Sequence, residues 1–160
     1  MRISIAAIGR LKTGPEKLMA DDYQKRIEML GRKTGITGLK IGEWAESQQA
    51  TPKQRMDEEA QILWASANQG AVALVLDERG RSHSSEDFAT GIRKYADNGV
   101  SELIFMIGGP DGHAPQTRER ATEIIAFGPM VWPHRLIRIM LLEQIYRSVT
   151  IMVNHPYHRS

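Results

Sequence analysis

Glu102-Leu103-Ile104-Phe105-Met106-Ile107-Gly108-Gly109-Pro110-Asp111-Gly112-His113 is the stretch on which the fold turns. Its first half is a continuous apolar run of strand length, as occurs when a strand is covered on both faces of a parallel sheet. Its second half carries three glycines, which let the backbone turn tightly and approach a ligand closely. Residues 71–76 form a second run of the same kind, ending abruptly in Asp77-Glu78-Arg79-Gly80. Outward from these runs, Arg2–Ile8 and 36–41 also read as strands. Leu18, Met19, Tyr23, Ile27 and Leu30 recur at helical spacing between them, until Gly31, Gly35 and Gly38 break the pattern. Thr51 as N-cap and Pro52 in the first turn open a helix that runs to about Asn68. Ser84-Ser85-Glu86-Asp87 opens another, which ends near Asn98-Gly99. The pattern then predicts a helix over 115–126, a short strand over 130–132 stopped by Pro133, and a last helix over 134–153. Strands and helices alternate throughout. That order predicts an α/β fold, a mostly parallel sheet flanked by helices, built as one domain over residues 1–160. The loop 42–50, with Gln48 and Gln49, reads as polar and mobile.

Composition narrows the function classes. The chain has 160 residues, no cysteine and a formal charge of +2. Disulfides and thiolate metal sites are excluded, and a cytoplasmic home fits best. The apolar start is too short for a signal peptide, and the apolar runs are too short to span a membrane. A charge this small excludes a blanket nucleic-acid binder, so any RNA must meet a local patch. Neither Gly-x-Gly-x-x-Gly nor a phosphate-cradling P-loop occurs.

Ligands of parallel α/β sheets bind at the carboxyl ends of strands. Attention therefore falls on the residues after Leu76, those after Ile107, and those around Trp132. The glycine turn alone is equally well a plain strand-to-helix turn. Asp77-Glu78-Arg79 alone reads better as a solvated loop. Phe127-Gly128-Pro129-Met130-Val131-Trp132-Pro133-His134 is irregular and rigid, with backbone groups free to meet an adenine edge; Trp132 as plain core is the commoner outcome. The terminal Asn154-His155-Pro156-Tyr157-His158-Arg159-Ser160 is unusually rich in titratable groups for a chain end. A metal pair from His155 and His158 is disfavoured, because no acidic or thiol ligand accompanies them, and no metal is expected.

Together, Ile-Gly-Gly-Pro-Asp-Gly (107–112), Trp-Pro-His-Arg-Leu-Ile-Arg (132–138), Glu-Gln-Ile-Tyr-Arg (143–147) and Asn-His-Pro-Tyr-His-Arg (154–159) resemble the ribosomal RNA large subunit methyltransferase H family. The resemblance covers essentially the whole chain and is strongest from Leu76 onward. It implies the SPOUT class, with a C-terminal trefoil knot that no sequence pattern would reveal. It also implies a homodimer that uses S-adenosyl-L-methionine to methylate nitrogen-3 of a pseudouridine in 23S rRNA of the assembled ribosome. By the same resemblance, the cofactor is bound by Leu76, Gly108, Gly109, Phe127, Gly128, Pro129, Met130, Val131 and Trp132. Many members have serine and threonine in that last segment, where this chain has Phe127, Gly128 and Met130, so backbone groups must replace side-chain hydrogen bonds. The tail from His155 to Arg159 matches the family's terminal motif, which meets RNA and completes the site.

The acceptor imide must lose a proton, and the tail supplies the one dense set of titratable groups. Tyr157 or His158 is thus the expected base, and Arg159 holds a carbonyl or phosphate oxygen. Arg138, Arg147, His155 and Arg159 are the expected RNA contacts. Two other readings compete: a nucleotide-using hydrolase, which lacks its phosphate loop here, and a non-catalytic RNA- or ribosome-binding factor of the same fold.

Overall fold

The computed structural model describes residues 1–158. Five strands, β1 (Arg2–Ile8), β2 (Gly38–Trp44), β3 (Val72–Ser82), β4 (Glu102–Ile107) and β5 (Glu123–Ala126), alternate with five helices. These are α1 (Pro15–Gly31), α2 (Pro52–Ala65), α3 (Ser85–Asp97), α4 (Pro115–Arg120) and α5 (His134–Met152), with one 3-10 turn at Arg32–Thr34. All strands are parallel, in the order β2-β1-β4-β3-β5.

The continuous apolar runs occupy the middle of the sheet. β4 is buried at every position, and β1 at every position after Arg2. Alternate residues feed two cores. Ile3, Ile5, Leu103 and Phe105 pack beneath α1, α3 and α5; Ala6, Ile8, Ile104 and Met106 pack beneath Leu63 of α2. Helix starts follow their side chains. Thr51 and Gln54 form a reciprocal capping box at α2, and Ser84 Oγ accepts the Asp87 N–H at 3.0 Å at α3.

Three expectations need correction. The helix expected over 115–126 stops at Arg120, where Ala121 turns extended, and residues Glu123–Ala126 become the edge strand β5. The β-branched pair Ile124-Ile125 suits a strand, and Thr122 N donates to Ala73 O at 2.9 Å to start the pairing. The strand expected over 130–132 does not form: the segment lies between Pro129 and Pro133, which lack ladder donors, and Met130 and Val131 are exposed. β3 does not end at Leu76 but continues to Ser82. Residues 77–80 form an irregularity, after which Arg81 and Ser82 return to pair with Ile125 and Ala126. Gly80 makes that return possible. A Cβ there would fall 2.6–2.7 Å from backbone atoms of Ile124 and Ile125.

Candidate active site

The irregular stretch of β3 after Leu76, the carboxyl end of β4 and the chain leaving β5 enclose an open cleft of about 820 Å³. That is a usual size for a small-molecule site. Leu76, Gly108, Gly109, Phe127, Gly128, Met130, Val131 and Trp132 line it, whereas Pro129 does not. Asp77, Glu78, Arg79, His113 and Arg118 line it as well.

The glycine turn has no room for side chains. A Cβ on Gly108 would lie 3.0 Å from Gly112 O, and one on Gly109 would lie 2.7 Å from Glu59 Oε2. The turn is held from within by His113, which is 5% exposed and whose Nε2 accepts the Gly108 N–H at 3.0 Å. Burial pushes the His113 pKa down to about 4, against the opposing pull of Asp77. The imidazole is therefore neutral at physiological pH, with Nε2 free to accept. Arg118 spans the two walls: its Nη1 donates to His113 O at 2.5 Å and lies 3.4 Å from Asp77 Oδ2. On the outer side Arg55 grips Asp111 with two hydrogen bonds, at 2.6 and 3.1 Å.

The terminal segment lies elsewhere. Among the described residues, none of 155–158 lines the cleft of its own chain. Tyr157 Oη donates to Glu143 Oε1 at 3.1 Å, and its ring meets Tyr146 edge-on. Burial, with Tyr23 and Glu143 alongside, pushes the Tyr157 pKa well up, so the phenol stays protonated and is unsuited to act as a base in this position. His158 Nε2 lies 3.5 Å from Glu86 Oε1 of α3. His155 is exposed, with Nδ1 accepting the Tyr157 N–H. Arg147 is tied to Glu143 at 3.0 Å and lies over the Tyr157 ring. Arg138 is the clear departure from expectation. It is 1% exposed, pairs with Glu43, and donates to Gly9 O at 2.8 Å, so it has no open face for a phosphate. Arg159 lies outside the described residues.

The model of the family described as predicted SPOUT methyltransferase matches residues 1–158. The chain belongs to the SPOUT methyltransferases. It is 46% identical over 159 residues to the ribosomal RNA large subunit methyltransferase H of Nitrobacter hamburgensis, covering 99% of each chain. It is 47% identical over 160 residues to the protein of the same name from Rhodopseudomonas palustris strain TIE-1, covering all of both. Its fold is also that of a crystal structure described as a probable methyltransferase from Bordetella pertussis Tohama I. There the TM-score is 0.51 at 11% identity, over 92% of this chain and 93% of that one.

As a SPOUT methyltransferase, the chain has its cleft where parallel sheets hold ligands, and three segments far apart in sequence meet there. Asp77 and Arg79 stood out as charges directly after an apolar run; they read as a strand end or a solvated loop, and they occupy the irregularity within β3. His113 followed the glycines but carried no mark of burial. Glu59 had no sequence signal, since Asp57-Glu58-Glu59 reads as a solvated helix face. No helix among the described residues is long and apolar enough to cross a membrane.

Proposed function

We propose that this methyltransferase uses S-adenosyl-L-methionine to methylate nitrogen-3 of a pseudouridine in 23S rRNA of the assembled ribosome, as a cytoplasmic homodimer. The full-length likeness to proteins named ribosomal RNA large subunit methyltransferase H carries this reading. The cleft suits the donor. Its volume fits a nucleoside-sized ligand, its glycine turn offers bare backbone, and its exposed Met130, Val131 and Trp132 offer apolar contact. Bound there, the donor supplies an electrophilic methyl group on a sulfonium.

The chain's own work is alignment. Positioning of this kind is worth roughly 7–11 kcal/mol at best. Gly108 and Gly109, fixed by His113, form one wall; the segment from Phe127 to Trp132 forms the other. The threading of that segment into a trefoil knot belongs to the same reading. It rests on the match of residues 1–158 to the SPOUT methyltransferase family.

The homodimer reading has two supports. None of the described tail residues 155–158 lines the cleft of its own chain, and Met130, Val131 and Leu136 stand exposed beside it at 67%, 80% and 42%. A second copy would cover these side chains and bring its His155, His158 and Arg159 toward the acceptor. His158 is then the base for the imide proton, and Arg159 and Arg147 contact RNA. Tyr157, kept protonated, anchors the tail through Glu143.

The deciding experiment supplies methyl-labelled S-adenosylmethionine to intact ribosomes, free large subunits and naked rRNA. Label in one pseudouridine of ribosomal 23S rRNA is expected. Tight donor binding with no label in any RNA would refute the acceptor assignment. No donor binding at all would favour a ribosome-binding factor.

A further inference from the structure

Behind the glycine turn lies Glu59 of α2, 3% exposed. Its Oε1 accepts the Ser47 N–H at 3.0 Å, while Oε2 has no hydrogen-bond partner. A buried carboxylate with an idle oxygen is costly, and such groups persist where they serve a purpose. The nearest neighbour suggests one. A Cβ on Gly109 would lie 2.7 Å from Oε2, 2.9 Å from Oε1 and 3.1 Å from Cδ, so the carboxylate points both oxygens into the space that a side chain at Gly109 would fill.

The charges around it act on the same contact. Burial pushes its pKa up, and Asp111 from the turn and Glu46 from the 45–50 segment add to that rise. The N–H groups of Ser47 and Gly109 oppose that rise, although the Gly109 N–H does not complete a hydrogen bond to it. Arg55, one helical turn earlier on α2, holds Asp111 at the tip of the turn and donates to Gln49 O at 3.0 Å. Thus α2 grips the turn at two points, its tip through Arg55 and its base through Glu59. The segment expected to be a polar, mobile loop is tied to the same helix through Ser47 and Gln49.

We propose that Glu59 is a positioning residue for the methyl donor, holding the Gly108–Gly109 backbone in the shape of the cleft wall from its far side. This rests on the methyl-donor reading of the cleft. Glu59 does not line the cleft and acts through Gly109.

The test uses the full-length protein as wild type, Glu59→Ala and Glu59→Gln. S-adenosylmethionine and S-adenosylhomocysteine are titrated by calorimetry, amide exchange is followed without ligand, and turnover is measured on ribosomes. Glu59→Ala is expected to weaken binding of both compounds by about ten-fold, as small displacements of a site wall do. It should speed exchange at residues 108–113 and leave kcat at saturating donor within about two-fold. Glu59→Gln keeps the volume and an acceptor for Ser47, so it should restore donor affinity, and it should melt no lower than wild type because it removes a buried charge. If Glu59→Ala does not fold, Glu59→Asp replaces it, withdrawing the carboxylate by one methylene with the same expected loss. Unchanged affinity and exchange in the shortened variant would overturn the proposal. So would a Glu59→Gln as weak as Glu59→Ala, because that would assign the effect to charge, not position. A wild type that binds neither compound would sink the donor reading itself, an outcome distinct from a bound wild type with indifferent variants.

Discussion

Acidification should loosen the glycine turn through one residue. His113 is buried, neutral, and accepts the Gly108 N–H at 3.0 Å. Its pKa is lowered from 6.5 to about 4 when folded. Between those values the unfolded chain binds more protons at this position than the folded one does, so stability falls as pH falls. The contribution is fully present above pH 6.5 and is lost as pH approaches 4. At about 1.36 kcal/mol per pH unit, the gap is worth about 3 kcal/mol. Protonation also turns the Nε2 acceptor into a donor that faces another donor. The comparison is with His113→Gln, whose amide oxygen can accept the same N–H but does not titrate. Urea unfolding at steps from pH 7 to pH 4 should show wild type losing about 3 kcal/mol more than the variant, with carboxylate contributions cancelling in the difference. Donor affinity should fall over the same range in wild type. Parallel pH profiles for the two proteins would refute the reasoning, as would an imidazole proton resonance of His113 that titrates above pH 6.

Other outcomes follow from the same geometry. Arg138→Ala removes a buried cation and leaves Glu43 behind; it should cost about 3 kcal/mol in unfolding free energy while leaving the salt dependence of RNA binding unchanged, and a flatter salt slope would restore a phosphate role to Arg138. Gly80→Ala drives a methyl into the backbone of Ile124 and Ile125, which cannot rotate away. A loss of about 3 kcal/mol, at the upper end for overpacking, and impaired donor binding are expected, whereas a wild-type melting curve would contradict the close crossing of β3 and β5. His158→Ala should lower turnover on ribosomes much more than donor affinity measured by calorimetry; an equal loss of both would remove it as the base.

The central strands were legible because β1 and β4 are buried on both faces and need apolar residues at nearly every position. The glycine turn and the segment 127–132 were legible for a different reason, since glycine and proline report backbone geometry directly. β5 was not. Ile124 and Ile125 follow a six-residue polar helix with no glycine or proline between to mark its end, and only pairing with β3, some 50 residues earlier, turns them into a strand. Arg138 misled for a related reason. On a helix it reads as surface, yet α5 is enclosed, and the partners that bury it, Glu43 and Gly9, lie 95 and 129 residues away. Glu59 sits in a run of acids that local pattern assigns to water; Ser47, 12 positions upstream, and Gly109, 50 positions downstream, close over it. The tail residues were conspicuous by type, but their local pattern did not show that Tyr157 folds back onto Glu143 and Tyr146 of α5.

The place of β1 in the sheet has a consequence for how the chain is made. β1 pairs with β2 on one side and with β4 on the other, in the register Arg2↔Glu102. β1 therefore leaves the ribosome about 100 residues ahead of its second neighbour. At a synthesis rate of roughly 5–20 residues per second, its second edge stays open for about 5–20 s. During that interval Ile3, Ile5 and Ile8 present an apolar, β-branched template to any other nascent chain. Translation that stalls between β2 and β4 should therefore be the condition under which this protein aggregates.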